Sequence, residues 1–425
     1  MNKEQTILLA FYGDDFTGST DALEFISRAG AKAVLFTEPP TAEQLQSFPG
    51  LNAYGVAGKT RALSPVEMEK VLLPAFTQLK TNGAKHIHYK VCSTFDSSPA
   101  IGSIGKAIDC GATVFNNAVI PVLGGMPALG RFCAFGNLFA KMGIGSEGRI
   151  YRLDRHPSMS KHPSTPMNES DLRLHLAKQT DKQIGLVDIT MLAKDNKEWK
   201  ADEAIVLLDA LSITHLEKTG EWLDGLQEEP LFSVGSSGIE MALGKQWNKT
   251  GLLTAKEEWP AIQPATPLLV VSGSCSPVTA AQIAYAKVNG FEEVILDAVT
   301  ICNDGLIDDN KIYEVTGLLS KQRNVIVHTG DKQTTNLSAE KLGTALGAIA
   351  KQAVEKNKLK RVVFSGGDTS SYAARAMEID AVEMVAPVVI GAPLCKAYSA
   401  NKVVNGLEVN FKGGQVGSEE YFCLF

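Results

Sequence analysis

The 425-residue sequence has no block of like charge, no long apolar run and no short internal repeat. Its 41 basic and 47 acidic residues give a net charge of −6. A nucleic-acid groove needs clustered Lys and Arg, so no nucleic-acid partner is expected. A membrane span needs about 20 consecutive apolar residues, and the N-terminal residues lack a signal-peptide pattern. We therefore expect a cytoplasmic protein with no membrane partner.

Regularly spaced cysteines are absent too. Seven cysteines are scattered along the chain, and none forms a C-x-x-C pair. Thiolate zinc sites and disulfide frameworks both depend on such spacing, so neither is expected. Reduced thiols are the plain interpretation, in agreement with a cytoplasmic protein.

What the sequence does contain is a regular alternation of short apolar runs and amphipathic stretches. This alternation is typical of an α/β protein with largely parallel sheets flanked by helices. Strands are predicted at Ile7–Tyr12, Ala33–Phe36, His86–Val91, Thr113–Ile120, Ile205–Leu208, Leu268–Val271, Glu293–Leu296, Val325–Val327 and Val362–Phe364. The stretch 252–267 carries three prolines without periodicity and predicts a linker. We therefore expect two domains, residues 1–250 and 265–425.

The end of the first predicted strand carries two adjacent acids. In open α/β sheets, ligands gather at the carboxyl ends of the strands. Gly13 frees the backbone there, and Asp14 and Asp15 follow it, ahead of Thr17. One interpretation makes an aspartate a general base or hydroxyl ligand for a polyol. The other is that both acids only cap the next helix. Because a cap needs one acid, a functional role is favoured.

A hydroxyl-rich loop follows the strand that ends at Lys90. Ser93, Thr94, Asp96 and Ser97 come soon after the lysine. Dense hydroxyls beside a lysine suit a ligand with many oxygens and a negative charge. An ordinary serine-rich turn with a solvated lysine is the alternative, and it stays open here.

Glycine turns follow two strands of the C-terminal half, and a third glycine-rich stretch lies near the end of the chain. Backbone N–H groups at such turns, helped by a helix dipole, bind phosphate. Together the three stretches indicate nucleotide phosphates, although the Walker pattern G-x-x-x-x-G-K-[ST] is absent. The candidate phosphate-binding residues are Ser272, Ser274, Gly366, Gly367, Asp368, Thr369, Lys412, Gly413 and Gly414.

Several of these stretches resemble one known family. GDDFTGSTD (Gly13–Asp21) resembles the hallmark of the four-carbon acid sugar kinase family, and HPSTPMNESDLRLHL (His162–Leu176) resembles its T-P-M-x-E-S-D-L segment. The glycine-rich stretches VVSGSCSPVTAAQI, FSGGDTS and FKGGQVGS resemble its C-terminal nucleotide-binding motifs. The likeness runs along nearly the whole chain.

The resemblance implies a two-domain kinase that uses ATP and Mg²⁺. Its N-terminal domain would bind a sugar acid, its C-terminal domain would bind ATP, and the active site would lie in the interdomain cleft. Arg61 would clamp a carboxylate, because its fork pairs with two oxygens. Asp15 is the expected general base, and Mg²⁺, Lys412 and backbone donors would meet the phosphate charge. The expected sugar-side residues are Asp14, Asp15, Thr17, Arg61, Lys90, Ser93 and Asp96.

One stretch departs from the pattern of this family. Four-carbon members carry a K-x-x-D-S-T-L-R-G type segment. When its D-S-T-L-R-G part is set against Cys92–Ser97, Cys92 stands at the acid position and Asp96 at the arginine position. Losing a cation and gaining an anion should change which acid fits. The stretch is similar to a branch that acts on 3-oxo-isoapionate, a branched sugar acid. That acid is one expected acceptor, and a tetronate or 3-oxo-tetronate is the other.

Other functions fit parts of the sequence. A two-domain binding protein would hold the acid without ATP. A hydrolase would use Ser274 or Cys275 as nucleophile with His328 as base. An NAD-dependent dehydrogenase is disfavoured, because G-x-G-x-x-G is missing after the first strand. The irregular stretch Arg155–Pro166 is a candidate lid, and a homo-oligomer is left open.

Overall fold

The computed structural model describes residues 6–142, 148–162, 164–199, 202–305, 307–330 and 338–425, and at Asp304 and Asp368 the backbone alone. Its strands are β1 (Leu9–Gly13), β2 (Ala33–Phe36), β3 (Ala53–Ala57), β4 (His86–Lys90), β5 (Ile120–Leu123), β6 (Arg131–Ala134), β7 (Asn137–Lys141), β8 (Ile150–Arg152), β9 (Ile184–Val187), β10 (Ile205–Leu208), β11 (Leu231–Gly235), β12 (Leu269–Ser272), β13 (Glu292–Ile295), β14 (Val325–His328), β15 (Arg361–Ser365), β16 (Ala381–Val389), β17 (Ala392–Tyr398) and β18 (Glu408–Lys412).

The helices are α1 (Phe16–Arg28), α2 (Ala42–Gln46), α3 (Pro65–Thr81), α4 (Ile104–Phe115), α5 (Leu172–Leu176), α6 (Ile189–Leu192), α7 (Ile213–Gly225), α8 (Gly238–Lys249), α9 (Pro277–Val288), α10 (Ala298–Asp304), α11 (Asp309–Ser320), α12 (Ala339–Asn357) and α13 (Gly367–Ala376). Within the described residues, no helix combines the length and apolar character that crossing a membrane requires.

The chain forms two compact units. The first comprises Met1–Ala33 and Pro39–Glu257, and the second comprises Val34–Glu38 and Glu258–Phe425. The short segment Val34–Glu38 therefore belongs with the C-terminal part of the chain.

The first unit is built on a parallel sheet. Its strands run in the order β3-β1-β4-β11-β5-β10-β9, and a separate antiparallel sheet has the order β6-β7-β8. Gly13 of β1 pairs with Ala57 of β3 and Lys90 of β4, and Lys90 pairs with Gly235 of β11. Because parallel strands end at one edge, the loops that follow these four strands lie together.

The second unit also contains a parallel sheet. The strands β13-β14-β12-β15-β18 are parallel neighbours, and β17, β16 and β2 extend the sheet in antiparallel pairs. Ser272 of β12 pairs with Ser365 of β15, and Ser365 pairs with Lys412 of β18. The three glycine-rich stretches therefore leave the sheet side by side. Buried residues around Val270, Ile326 and Val363 form the core beneath them.

These features confirm the α/β expectation, with one strand predicted wrongly. Instead of a strand at Thr113–Ile120, the structure continues α4 to Phe115 and begins β5 at Ile120. Asn116 ends the helix in the left-handed conformation, with φ 57°, which asparagine adopts more readily than most residues. Short apolar runs do not distinguish a buried helix end from a strand.

Candidate functional site

The strand ends of the first unit bring several charged side chains together. We call Asp14, Asp15, Arg61, Lys90, Cys92 and Asp96 the aspartate site. The backbone N–H of Asp14 donates to the carbonyl of Lys90 over 2.8 Å, and the N–H of Arg61 donates to the carbonyl of Asp14 over 3.1 Å. The loops after β1, β3 and β4 are thereby joined directly.

Asp15 is fully engaged by its neighbours. It is the N-cap of α1: Oδ1 accepts from the Gly18 N–H over 2.8 Å, and Oδ2 accepts from the Thr17 hydroxyl over 2.8 Å. Arg61 Nη2 donates to the same Oδ2 over 2.7 Å. Burial alone would raise the pKa of Asp15, but Arg61, Lys90 and these hydrogen bonds outweigh it and lower the pKa. Asp15 therefore stays ionised and holds Arg61 in place.

Asp14 is in a different state. The residue is 3% exposed, and Oδ2 accepts a long hydrogen bond of 3.3 Å from the Cys92 N–H. Its Oδ1 has no hydrogen-bond partner among the described residues. Burial, reinforced by the charge of Asp15, raises the pKa of Asp14 to about 7, against the opposing pull of Arg61 and Lys90. Asp14 thus has both an open oxygen and a pKa suited to accepting a proton.

Lys90 lies at the base of the same site. Its side chain is 1% exposed, and Nζ is 3.5 Å from Asp21 Oδ2. Burial alone would lower its pKa, but Asp21, Asp14 and Asp15 together raise it. The solvated-lysine alternative is therefore wrong, because Lys90 is a buried cation. A Cβ on Gly18 would come within 2.9 Å of Nζ and 2.5 Å of Asp15 Oδ1, so glycine is needed at that position.

The loop after β4 is held by hydrogen bonds. The Thr94 hydroxyl donates to Asp96 Oδ1 over 2.7 Å, and Cys92 Sγ lies 3.1 Å from the same hydroxyl. Burial, with Asp96 nearby, raises the pKa of Cys92 to about 12, so its thiol stays neutral. Ser93 is half-buried and joins none of these bonds.

His175 was not among the predicted site residues. Its Nε2 lies 2.8 Å from the Ser97 hydroxyl, and burial lowers the pKa of His175 to about 4, so the ring is neutral at physiological pH. A signal was available: His175 belongs to the TPMNESDLRLHL stretch that carried the family resemblance. That stretch packs on the loop after β4. The lid prediction for Arg155–Pro166 includes Pro163, which lies outside the described residues.

In the second unit the glycine turns converge. We call Ser272–Ser274, Gly366–Thr369 and Lys412–Gly414 the glycine-turn site. The N–H of Gly273 donates to Ser365 over 3.2 Å, and the N–H of Gly366 donates to Lys412 over 2.9 Å. A Cβ on Gly273 would overlap the Thr369 hydroxyl. Glycine at position 273 therefore lets the turn after β12 lie directly against Thr369, at the start of α13. The side chain of Asp368 lies outside the described residues.

Lys412 lies beneath the turns. It is fully buried, and Nζ donates to the hydroxyls of Ser365 over 3.1 Å and Thr279 over 3.2 Å. Burial lowers the pKa of Lys412 to about 7, and no carboxylate pairs with it in the described part of the chain. The lysine ties β18 to its neighbours, and its contact with phosphate stays a prediction.

A pocket of about 250 Å³ adjoins the first turn. It is lined by Ser274, Cys275, Ser276, Pro277, Ala280, Ile283, His328 and Gly330. His328 Nε2 is 3.0 Å from Glu293 Oε1, and His328 Nδ1 accepts from the Gly330 N–H over 3.0 Å. With both ring nitrogens engaged, His328 has no free nitrogen to offer Ser274 or Cys275. The hydrolase alternative therefore lacks its base.

Most of the predicted site residues fall into these two groups. Thr17 joins the aspartate site through Asp15, while Ser93 and Asp96 sit in its loop. The described residues hold no cluster of three or more His, Cys, Asp or Glu fit for a metal ion. Mg²⁺ with ATP remains an expectation drawn from the resemblance.

Two family models match the chain. A model described as a sugar-binding N-terminal domain matches residues 9–243, and one described as a nucleotide-binding C-terminal domain matches residues 269–422.

Curated relatives extend over almost the whole chain. A 3-oxo-isoapionate kinase of Paraburkholderia graminis is 41% identical over 98% of this chain and 94% of its own. A 3-oxo-tetronate kinase of Salmonella typhimurium is 26% identical over 96% of each chain. Crystal structures from Salmonella typhimurium and Haemophilus influenzae match with TM-scores of 0.77 and 0.70, each at 23% identity and over at least 98% of both chains. At that identity the structures show the fold alone.

Proposed function

The chain belongs to the four-carbon acid sugar kinase family, and we propose that it transfers the γ-phosphate of ATP to a hydroxyl of 3-oxo-isoapionate or a closely related sugar acid. The observation that carries the proposal is the state of Asp14: buried, with one open oxygen and a pKa near 7, beside Lys90 and Arg61. This carboxyl lies within the stretch that matches the sugar-binding domain model.

Asp14 is the better candidate for the general base. A base needs a free lone pair and a pKa near the working pH. Asp15 is less suited, because both of its oxygens already accept hydrogen bonds and its pKa is lowered. We therefore assign proton acceptance to Asp14, in place of the sequence-based choice of Asp15. Asp15 instead positions Arg61.

The cations of the site contribute more to the rate than the general base does. Phosphoryl transfer depends mainly on positioning and on neutralising charge on the transferred group. Arg61 and Lys90 supply positive charge beside the acceptor hydroxyl, and the backbone N–H groups of the glycine-turn site hold the phosphates of ATP. Mg²⁺, bound with ATP, would neutralise the remaining phosphate charge; no residue is assigned to it. Transfer in a cleft between the domains stays a prediction.

The substrate assignment rests on the loop after β4. Cys92 is a small neutral group where plain four-carbon members carry an acid, and Asp96 is an anion where they carry an arginine. A neutral thiol leaves room for a bulkier acceptor, and a buried carboxylate accepts hydroxyl hydrogens. Both changes favour a branched, hydroxyl-rich acid, as does the 41% identity to a 3-oxo-isoapionate kinase.

ADP release from MgATP tests the proposal against a panel of D-threonate, D-erythronate, their 3-oxo forms and 3-oxo-isoapionate. The expected result is acid-dependent ADP release with the highest kcat/KM for 3-oxo-isoapionate. Thermal stabilisation by an acid without any ADP release would favour the non-enzymatic binding protein instead. A cytoplasmic location and a homo-oligomer also stay predictions.

A further inference from the structure

Arg131 is a cation beside the aspartate site that the preceding mechanism does not use. It begins β6, the first strand of the antiparallel sheet in the first unit. The strand is held at its far end by Asp209, whose carboxylate accepts from the N–H groups of Phe135 over 2.5 Å and Gly136 over 2.9 Å. Arg131 is therefore mounted on a fixed hairpin.

The guanidinium of Arg131 is only partly satisfied. Nη1 donates to the carbonyls of Leu129 over 2.9 Å and Lys141 over 3.3 Å. Nε is buried and has no hydrogen-bond partner among the described residues. A buried donor left without a partner is costly. The hydrogen bonds of Nη1 do not use the edge of the guanidinium formed by Nε and Nη2. That edge is one of the two that can pair with a carboxylate.

The segment that carries Arg131 lies against the loop after β4. A Cβ on Gly124 would come within 3.5 Å of the Phe95 ring in that loop, and Met126, two residues further on, pairs through its backbone with Arg131. The charged or ionisable groups that act on it are Cys92, Asp96 and Asp21. Burial lowers the pKa of Arg131, yet a guanidinium starts so high that it stays charged. Its fixed positive charge therefore faces the loop after β4.

Arg61 is less suited to hold the carboxylate of a substrate. Its Nη2 already donates to Asp15 over 2.7 Å, and a second carboxylate would have to share that cation. Arg131 has no ion pair with an acid in the described part of the chain. The two arginines therefore differ in their hydrogen bonds. Arg61 is held by Asp15, whereas Nε of Arg131 has no partner among the described residues.

We propose that Arg131, through its Nε edge, binds the carboxylate of the sugar acid, and that Asp96 in the loop after β4 accepts a substrate hydroxyl. This inference rests on the proposed function, and it assigns the carboxylate subsite to Arg131 rather than Arg61. The pair then sets specificity: Arg131 selects an acid over a neutral sugar, and Asp96 selects a hydroxylated chain.

The test compares Arg131→Gln and Arg131→Lys with wild type. Arg149→Gln serves as the matched control, because Arg149 lies in the same unit, is exposed and stands outside the candidate lid. Calorimetry measures binding of 3-oxo-isoapionate without nucleotide, and ADP release gives KM and kcat for the acid and for the corresponding neutral sugar alcohol.

For Arg131→Gln we expect the KM for the acid to rise about 100-fold, as losing one partner of a buried charged pair commonly does. The kcat should change only a few-fold, binding of MgATP should be unchanged, and the neutral alcohol should be used no worse than by wild type. Arg131→Lys should recover part of the affinity, and Arg149→Gln should behave as wild type.

Wild-type affinity for the acid in Arg131→Gln would overturn the inference, and so would an equal loss for the acid and the neutral alcohol. If Arg131→Gln does not fold, the affinity of Arg131→Lys for the acid is the test, because lysine keeps the positive charge but cannot pair with two carboxylate oxygens at once. A third outcome separates the two proposals. If wild type binds the acid through Arg131 but releases no ADP, the proposed function is wrong and the carboxylate subsite is still supported. Wild type that neither binds nor phosphorylates any acid would overturn both.

Discussion

At the scale of single residues, Asp14 and Asp15 are neighbours in sequence but differ in their hydrogen bonds and in their pKa. Both are buried, yet one is satisfied by three donors and the other keeps an open oxygen. The difference comes from the helix: Asp15 faces the N–H groups of α1, while Asp14 faces the loop after β4. The sequence predicted the pair, and it did not predict which acid would be left open.

Asp14→Asn should abolish acid-dependent ADP release while MgATP still binds, because the amide cannot accept the hydroxyl proton. In wild type, kcat/KM should fall about tenfold per pH unit below pH 7, where a group of pKa about 7 becomes protonated. A pH-rate profile checks both points. Turnover that survives in Asp14→Asn but disappears in Asp15→Asn would return the role of base to Asp15.

The same carboxyl should cost stability at neutral pH. Folding raises its pKa from 3.8 to about 7, so the folded state holds a proton that the unfolded state releases. The contribution is fully present below pH 3.8 and is lost as pH rises through 7. Asp14→Asn should therefore be more stable than wild type at pH 8, by at most about 4 kcal/mol, and nearly equal at pH 4. Urea unfolding at the two pH values measures this, and a destabilised variant at pH 8 would contradict it.

At the scale of elements, both sites depend on glycines that let a helix approach a strand end. Gly18→Ala should push the first turn of α1 away from Asp15 and Lys90, since its Cβ would lie 2.5 Å from Asp15 Oδ1 and 2.9 Å from Lys90 Nζ. We expect the kcat/KM for the acid to fall at least about tenfold, with MgATP binding retained. Gly225→Ala, where a Cβ meets nothing within 4 Å, is the control. Equal activity of both variants would show that the turn tolerates the methyl group.

Gly273→Ala should act on the other site. Its Cβ would overlap the Thr369 hydroxyl and separate the turns after β12 and β15. Weaker MgATP binding by at least about tenfold is expected, with acid binding unchanged, both read by calorimetry. Gly317→Ala is the control: Gly317 lies in α11, and a Cβ there would meet nothing within 4 Å. This variant should bind both ligands as wild type does. Unaltered nucleotide affinity in Gly273→Ala would remove this turn from the phosphate site.

Periodicity predicted several of the buried strands and missed others, among them β3 and β11, which are buried along their whole length. Ala33–Phe36 and Ile205–Leu208 were predicted at their observed bounds, because short apolar β-branched runs between turn signals specify a strand. The β16–β17 hairpin was not predicted, and neither were the contacts of His175 or Arg131. Those contacts join residues far apart in the chain, and no local pattern encodes a partner that only folding supplies.

At the scale of the whole molecule, the two compact units carry two kinds of chemistry. The first gathers carboxylates and buried cations, and the second gathers glycine turns over a buried lysine. The sequence predicted both sets from the strand-end rule and from the family resemblance. It did not predict that Val34–Glu38 belongs to the second unit. That placement follows from the pairing of β2 with β16, which lies far away in the sequence.

A kinase of this family should pass the γ-phosphate to a sugar acid and not to water. The most direct measurement is ³¹P NMR of a reaction that contains the protein, MgATP and 3-oxo-isoapionate. We predict a phosphate monoester resonance that grows in step with ADP and is absent with Asp14→Asn. ADP accompanied only by inorganic phosphate, with or without the acid, would contradict the account, because the protein would then be a nucleotide hydrolase.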